Sequence, residues 1–458
     1  MEGIIEEEKN DLKNILIRLR RRDFSGNSGQ AIRNSTYNLV TILLIKFSGL
    51  IFTIIIARML MPELFGLYGL ALSTIALFAS FSDLGLSTTL LAYVSKKHLE
   101  KNLGKAKGYY DYLLKIKLIL LFIVSFILLS SSYFIANYYY NKPIFLALLA
   151  GALYVFISEP IGFILTTFVA MNDFKIGLIK ESVFQGLKLI LVPLMILLTI
   201  EKVSSSNLLF LIFLLLSLIY AISGLVILIR FRNTEFKKTT KDPLTKEEKR
   251  DLFKFTIPMI LTVFSGMFFG NIDMIMLGRF VTSDILGYYQ SALSLIGSAS
   301  AIITFSAISL FPILSGLKGR ELERGFSKSM KLVFLIALAS GVFTFLFADI
   351  IIDLVYGSDF SEAAKILRLF SLILFTAPLI GLYNTYYISQ KRTKEYALLL
   401  IFSTIVNIVL NYLFIIALLP SGMIQAAVGA ATATLISRVL YLGGLIFFKK
   451  KYLKATGF

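Results

Sequence analysis

The sequence predicts an all-α polytopic membrane protein, with twelve transmembrane helices in two pseudo-symmetric six-helix lobes around a central cavity. Three observations predict it. Of 458 residues, 57% are hydrophobic and the mean hydropathy is +0.80, more apolar surface than a soluble fold can bury. The apolar residues fall into about twelve runs, each close to the ~20 residues a helix needs to cross a bilayer. Lysine and arginine collect in every second gap between runs, the pattern of loops retained in the cytoplasm.

Taken in order, the chain opens on MEGIIEEEKN, an acidic stretch without the apolar core of a cleaved signal. Within residues 1–30, Ile5, Leu12, Ile15, Leu16 and Leu19 recur at helical spacing ahead of Arg20, Arg21 and Arg22. An amphipathic segment on the cytoplasmic surface is expected there; the alternative is a disordered basic tail. The apolar runs are 36–57, 64–88, 116–138, 144–169, 178–200, 206–229, 254–278, 285–312, 331–352, 364–388, 396–418 and 423–447. They are too long and too uniformly apolar for barrel strands.

Lys96, Lys97, Lys101, Lys105 and Lys107 fill the second gap, and Lys237, Lys238, Lys241, Lys246, Lys249 and Arg250 the sixth. Lys318, Arg320, Arg324 and Lys328 fill the eighth, and Lys391, Arg392 and Lys394 the tenth. The other gaps carry only Arg58, Lys142, Lys202, Arg279 and, at one edge, Lys365. This predicts a multi-pass protein of the cell (plasma or inner) membrane with both termini cytoplasmic. Residues 231–252, FRNTEFKKTTKDPLTKEEKRDL, read as a cytoplasmic linker between a first lobe at 31–230 and a second at 253–448; residues 449–458 form a basic cytoplasmic tail.

An internal repeat supports the division. Arg58 is followed by Gly66 and Tyr68, and Arg279 by Gly287 and Tyr289, so R-x7-G-x-Y occurs twice at an offset of 221 residues (58 to 279). At that offset Gly49 meets Gly270 and Ser73 meets Ser294, while Pro160-x-Gly162 stands against Pro378-x-x-Gly381 a few residues out of step. Each match alone is weak; their common order predicts a duplication. Six spans per half is an even number, so the halves share one orientation, with the transport path between them.

The stretch Asn407-x3-Asn411, then Leu419-Pro420-Ser421-Gly422, then Gly429-Ala430-Ala431-x-Ala433-Thr434-x2-Ser437 resembles the C-terminal signature of the polysaccharide transporter family. These are the Wzx-type flippases of the multidrug/oligosaccharidyl-lipid/polysaccharide exporter superfamily. The segment RMLMPELFGLY from Arg58 to Tyr68, with Asp83-Leu84-Gly85-Leu86, resembles the same family's first-to-second-span signature. The resemblance covers about residues 31–448. It implies export of a lipid-linked oligosaccharide by rocking of the two lobes. The lipid II flippases are similar but usually carry two further spans; the multidrug exporters share the twelve-span plan.

Ionisable groups inside spans are costly and mark candidate sites. Lys46 lies near the middle of the first run, with Gly49 and Thr53 on nearly the same face; it faces a wet cavity or an ionic partner. Glu181, Gln185 and Lys188 share one face of the fifth run, and Ser403, Asn407 and Asn411 one face of the eleventh. Asn407 corresponds to Lys188 in the repeat, so positive charge is expected to concentrate in the first lobe. Asn407 and Asn411 suit helix–helix hydrogen bonding as well as substrate contact. Asn271 and Asp273 lie in the seventh run, and Asp273 is the leading candidate for a titrating or cation-coordinating carboxylate. Glu159 precedes Pro160, which removes a backbone donor and bends a helix; a gate, a proton site or a cap for the freed backbone all fit. Arg58 and Arg279 break the charge rule at matching positions, which suits cavity contacts or phospholipid phosphates. Arg438 sits toward the inner part of the last run, within reach of headgroups.

Other chemistries are excluded. There are no cysteines and His98 is the one histidine, which removes thiolate sites, His-based metal sites and a Ser-His-Asp triad. No nucleotide-binding G-x-x-x-x-G-K-[ST] run occurs. The net charge of +18 follows from topology and anionic-lipid contact rather than nucleic acid. No cofactor or metal is called for. The expected cargo is a polyprenyl-(pyro)phosphate-linked oligosaccharide for cell-surface polysaccharide, with membrane lipids as surroundings and a proton or sodium gradient, or the membrane potential, as drive. Lysine and arginine would hold the phosphate by charge-assisted hydrogen bonds in a path that a bare diphosphate could not cross through hydrocarbon. The alternative is an organic-cation antiporter of the same superfamily; a membrane enzyme is disfavoured by the short outer gaps.

Overall fold

The computed structural model describes residues 26–308, 319–390 and 392–455. Of the expected amphipathic segment, only residues 26–30 are among them. Every described element is helical. The order is α1 (Gly26–Asp83), α2 (Leu86–Leu99), α3 (Leu103–Phe134), α4 (Phe145–Ala170), α5 (Lys175–Thr199), α6 (Ser205–Arg232), α7 (Glu235–Lys238), α8 (Lys246–Phe280), α9 (Ser283–Ile308), α10 (Gly319–Leu346), α11 (Ala348–Tyr356), α12 (Ala363–Ser389), α13 (Thr393–Leu418) and α14 (Met423–Ala455).

Ten described helical segments are long and apolar enough to cross a membrane, against twelve expected runs. Two of the expected runs are joined in one segment. Helix α1 holds 58 residues, about 87 Å if straight and roughly three times the hydrocarbon thickness. It is not straight: Met61 has φ 60° and Pro62 follows it, so the backbone breaks between the first two expected runs. The run at 285–312 is described only in part, as α9.

A second break ends α1. Leu84 and Gly85 have φ of 41° and 77°, a left-handed turn that glycine tolerates without cost. Asp83 Oδ1 accepts the freed Ser87 N–H at 3.3 Å and the Ser87 hydroxyl at 2.5 Å. The left-handed residues Asn141 and Asn172 make the turns after α3 and α4. Residues 246–252 of the expected linker are helical and continue into α8. Thr245 caps that helix in a box with Glu248, satisfying two orphan donors at its first turn.

Helix α1 packs on α5 and α9, α4 on α3 and α6, α12 on α9, α10 and α14, and α13 on α8 and α14. Away from these contacts, large apolar side chains lie exposed at membrane depth, as in the Ile119, Phe122, Ile123, Phe126 and Ile127 stripe of α3, where lipid tails replace water. Around Arg58 and Arg279, one continuous apolar core contains residues from both halves of the chain. Toward the linker it gives way to two separate clusters, one around Tyr110 and Phe231 and one around Phe326 and Tyr386. Apart from the start of α8, where Phe255 and Thr256 meet Tyr93 and Thr89 of α2, the described halves are thus joined at the arginine end and divided at the linker end.

Candidate functional site

The arginine end is a reciprocal clasp. Arg58 Nε and Nη2 donate to the carbonyls of Val355 and Leu354 at 2.8 and 2.6 Å, at the C-terminus of α11. Arg279 Nη1 donates to Tyr138 and Tyr139 at 3.0 and 2.6 Å, in the π-helical turn after α3. Both arginines satisfy orphan carbonyls at a helix end, where positive charge also meets the helix dipole. Between them the chains touch at their glycines. A Cβ on Gly66 would lie 1.9 Å from Ser283 O, and one on Gly287 would lie 2.0 Å from Pro62 O. The R-x7-G-x-Y repeat therefore builds the seam. Lys142 Nζ adds a bond to Val281 O at 2.8 Å; burial pushes its ammonium below the usual lysine range, with Asp284 opposing. In this conformation both guanidinium groups are engaged by backbone carbonyls.

A polar cluster occupies the second half. Asp273 of α8 is buried and accepts Tyr289 Oη and Thr434 Oγ1, each at 2.6 Å, and Asn411 Nδ2 at 2.8 Å. Asn407 Nδ2 donates to Thr434 Oγ1 at 3.0 Å. The amide oxygens of Asn407 and Asn411 and Arg438 Nε are buried without a partner, and the Arg438 guanidinium lies 5.1 Å over the Phe269 ring. Asp273, Asn407, Asn411 and Thr434 thus bring a carboxylate, two amides and a hydroxyl together from α8, α13 and α14, with the Arg438 guanidinium acting electrostatically on the carboxylate. Asn271 is not part of it; its amide bonds back to Met267 O at 3.2 Å.

At the matching positions of the first half stand an aromatic ring and a lysine. Phe52 stands at the 221-residue offset from Asp273 (52 to 273) and Lys188 against Asn407. Lys188 is buried, its ammonium 4.7 Å from the Phe52 ring centre and 5.4 Å from that of Phe184. About two turns away, Lys180 Nζ pairs with Glu181 at 2.7 Å and lies 3.8 Å over Tyr220, and Gln185 donates to Glu181 at 3.2 Å. Lys46 is exposed, and the nearby Gly49 faces open space.

Glu159 belongs to a third cluster. Lys117 of α3, 1% exposed, lies 2.7 Å from Asp83 and 2.5 Å from Glu159. Both carboxylates line a cavity of about 610 Å³ among α1, α4 and α6, which Met267 of α8 also touches. Sequence reasoning missed Lys117 and Lys180. The available signal was two lone carboxylates in apolar surroundings, each of which needs a cation at its own depth; Lys117 sits on the boundary of the third run and reads as a loop lysine. Tyr289 and Thr434 stood in quoted motifs without a role.

A helical bundle joined at one end, divided at the other and carrying charged clusters inside its spans defines a multi-pass membrane transporter rather than an enzyme. The solved structures it resembles agree. A multidrug resistance MATE family transporter in an inward-facing conformation superposes with a TM-score of 0.64 at 16% identity, over 96% of this chain and 99% of that one. The lipid II flippase MurJ, in an inward closed conformation, gives 0.63 at 16%, over 92% and 87%. At such identities these establish the fold. The chain belongs to the polysaccharide biosynthesis protein family, whose model matches residues 31–318; the MatE model matches 258–413. A curated relative, the probable low-salt glycan biosynthesis flippase Agl15 of Haloferax volcanii, is 24% identical over 246 residues. That match spans about half of each chain, 52% of this one and 51% of the relative.

Proposed function

We propose that the protein is a flippase moving a polyprenyl-(pyro)phosphate-linked oligosaccharide from the cytoplasmic to the outer leaflet, by rocking of two six-span lobes at 31–230 and 253–448. Membership of the polysaccharide biosynthesis family carries the cargo class. The one-sided core supports the rocking motion, and the lysine-rich gaps at the divided end support a cytoplasmic position for it, with the Arg58 and Arg279 clasp at the outer face. In that state the path admits cargo from inside. Lys46 is the proposed phosphate contact, with Lys188 adding positive potential behind Phe52. Arg58 and Arg279 become available to the headgroup only when the clasp parts. Asp273, Asn407, Asn411 and Thr434 are the proposed seat of the coupling proton or sodium ion, with Tyr289 linking that seat to the clasp helix. The test is reconstitution: proteoliposomes carrying a polyprenyl-diphosphate oligosaccharide should make its glycan accessible to an impermeant label at the opposite leaflet. No protein-dependent change in accessibility overturns the proposal.

One observation favours a second reading. The described charged residues lining the cavity are the carboxylates Asp83 and Glu159, as an organic-cation antiporter would need. Protein-dependent, gradient-driven export of an organic cation, with no glycolipid movement, would establish it.

A further inference from the structure

Resting on the flippase reading, we infer that the cavity among α1, α4 and α6 is a sugar subsite selective for hydroxyl-donating, non-acidic sugars. The argument is a count of donors. Ser80 Oγ donates to Leu77 O at 2.7 Å, Ser158 Oγ to Val155 O at 3.5 Å, Thr166 Oγ1 to Gly162 O at 3.0 Å and Ser87 Oγ to Asp83 Oδ1 at 2.5 Å. All four line the cavity. A hydroxyl whose proton is committed offers its surroundings only lone pairs. The two carboxylates are acceptors as well. Lys117 and Ser87 take Asp83 Oδ1, and Lys117 takes Glu159 Oε2, leaving the second oxygen of each free of these bonds.

Apart from the Tyr154 and Tyr220 phenols, the polar wall therefore asks for a ligand that donates. Sugar hydroxyls do so, and Tyr154 and Tyr220, packed edge to face at 5.6 Å and both on the cavity lining, add apolar ring surface for a sugar face. A phosphate presents only acceptors and negative charge, and a uronate adds a carboxylate to its hydroxyls, against two carboxylates balanced by one lysine. The volume of about 610 Å³ lies within the ~300–1,000 Å³ usual for small-molecule sites. The diphosphate accordingly binds elsewhere, and this cavity reads the glycan.

The experiment has a binding arm and a transport arm. Saturation-transfer NMR on the reconstituted protein compares methyl glucoside, methyl glucosaminide and methyl glucuronide. The first two should bind, and the glucuronide at least about tenfold more weakly, the loss expected for one buried charge-assisted contact turned repulsive. Glu159→Gln should weaken glucoside binding and shrink that gap; Thr166→Val tests the same wall without altering charge, should Glu159→Gln fail to fold. Glucuronide binding as tight as glucoside, or binding unchanged in both variants, overturns the subsite. So does binding of tetraphenylphosphonium with no glycoside bound. The transport arm uses polyprenyl diphosphates bearing each sugar. Selective glycoside binding without flipping removes the flippase reading and keeps the subsite; flipping that ignores the acid keeps the flippase and removes the subsite.

Discussion

Arg58 and Arg279 make the same contact in opposite directions, each tying the end of its own helix to the terminal carbonyls of a helix in the other half. Both side chains are exposed, so each contact is worth about 1 kcal/mol rather than the ~2–3 of a buried charged bond. Replacing both with glutamine should favour separation by about 2 kcal/mol, roughly thirtyfold in the ratio of states. The cysteine-free chain makes the measurement direct. Spin labels at Glu63→Cys and Asp359→Cys, exposed positions on the two sides, should report a longer distance population in the double variant. An unchanged distribution would deny the clasp its role.

Gly66 and Gly287 make a sharper test, because what they touch is backbone and cannot swing aside. A methyl group at either site must open the seam or strain it, as contacts at 1.9 and 2.0 Å are impossible. Gly66→Ala and Gly287→Ala should each lower the melting temperature or populate the separated state. The double variant should cost little more than either single one, since both report one contact. Full additivity would mean the glycines act independently.

Asp273 should carry the coupling. Asp273→Asn keeps the shape while removing the charge and turning one accepting oxygen into a donor, so the protein should fold, with some loss of stability, yet lose response to an imposed ion gradient. Sodium should raise the wild-type melting temperature in proportion to the logarithm of its concentration, if sodium is the ion, and leave Asp273→Asn unmoved. Gradient-driven transport at wild-type rate in that variant would exclude the carboxylate.

The helical class, the membrane setting and the repeat were legible because each is written in single-residue periodicity and charge. Arg58 and Arg279 stood out for the same reason, as charges in the wrong gaps; that they grip carbonyls of the opposite half depends on tertiary placement that no local pattern encodes. Asp273 was visible as a lone carboxylate, and its partners at 411 and 434 were not, since they lie more than a hundred residues away. Glu159 was read beside its proline, whereas its partner Lys117 comes from a different helix. The break in α1 at Met61 falls between two runs that the sequence does separate, but the break at Leu84 falls inside an expected one, where an isolated Gly85 gives little warning.

Lys46 and Lys188 divide the proposed anion handling. Lys46→Gln should abolish glycolipid flipping with little loss of stability, because its side chain is exposed. Lys188→Gln should also abolish flipping, and should destabilise by about 1–2 kcal/mol through the lost ammonium–ring contacts. Lys188→Arg, which keeps both charge and stacking, should restore part of each. Wild-type flipping by both neutral variants would remove lysine from the transport step.

Lys117 holds a position whose loss should be structural first. It is shared by Asp83 and Glu159 and is 1% exposed, so Lys117→Met leaves two carboxylates close together with no cation between them. Removing one member of a buried ionic group costs about 3–5 kcal/mol, chiefly from the charge left behind. Asp83→Asn and Glu159→Gln added to Lys117→Met should recover much of that, because a neutral trio carries no unpaired charge. Thermal unfolding in detergent reads both effects. If Lys117→Met melts with the wild type, the two carboxylates are protonated or solvated from the cavity and need no lysine. If it melts early but the triple variant recovers nothing, Lys117 stabilises by packing against Phe163, 5.9 Å from its ammonium, and the ionic account of this cluster is wrong.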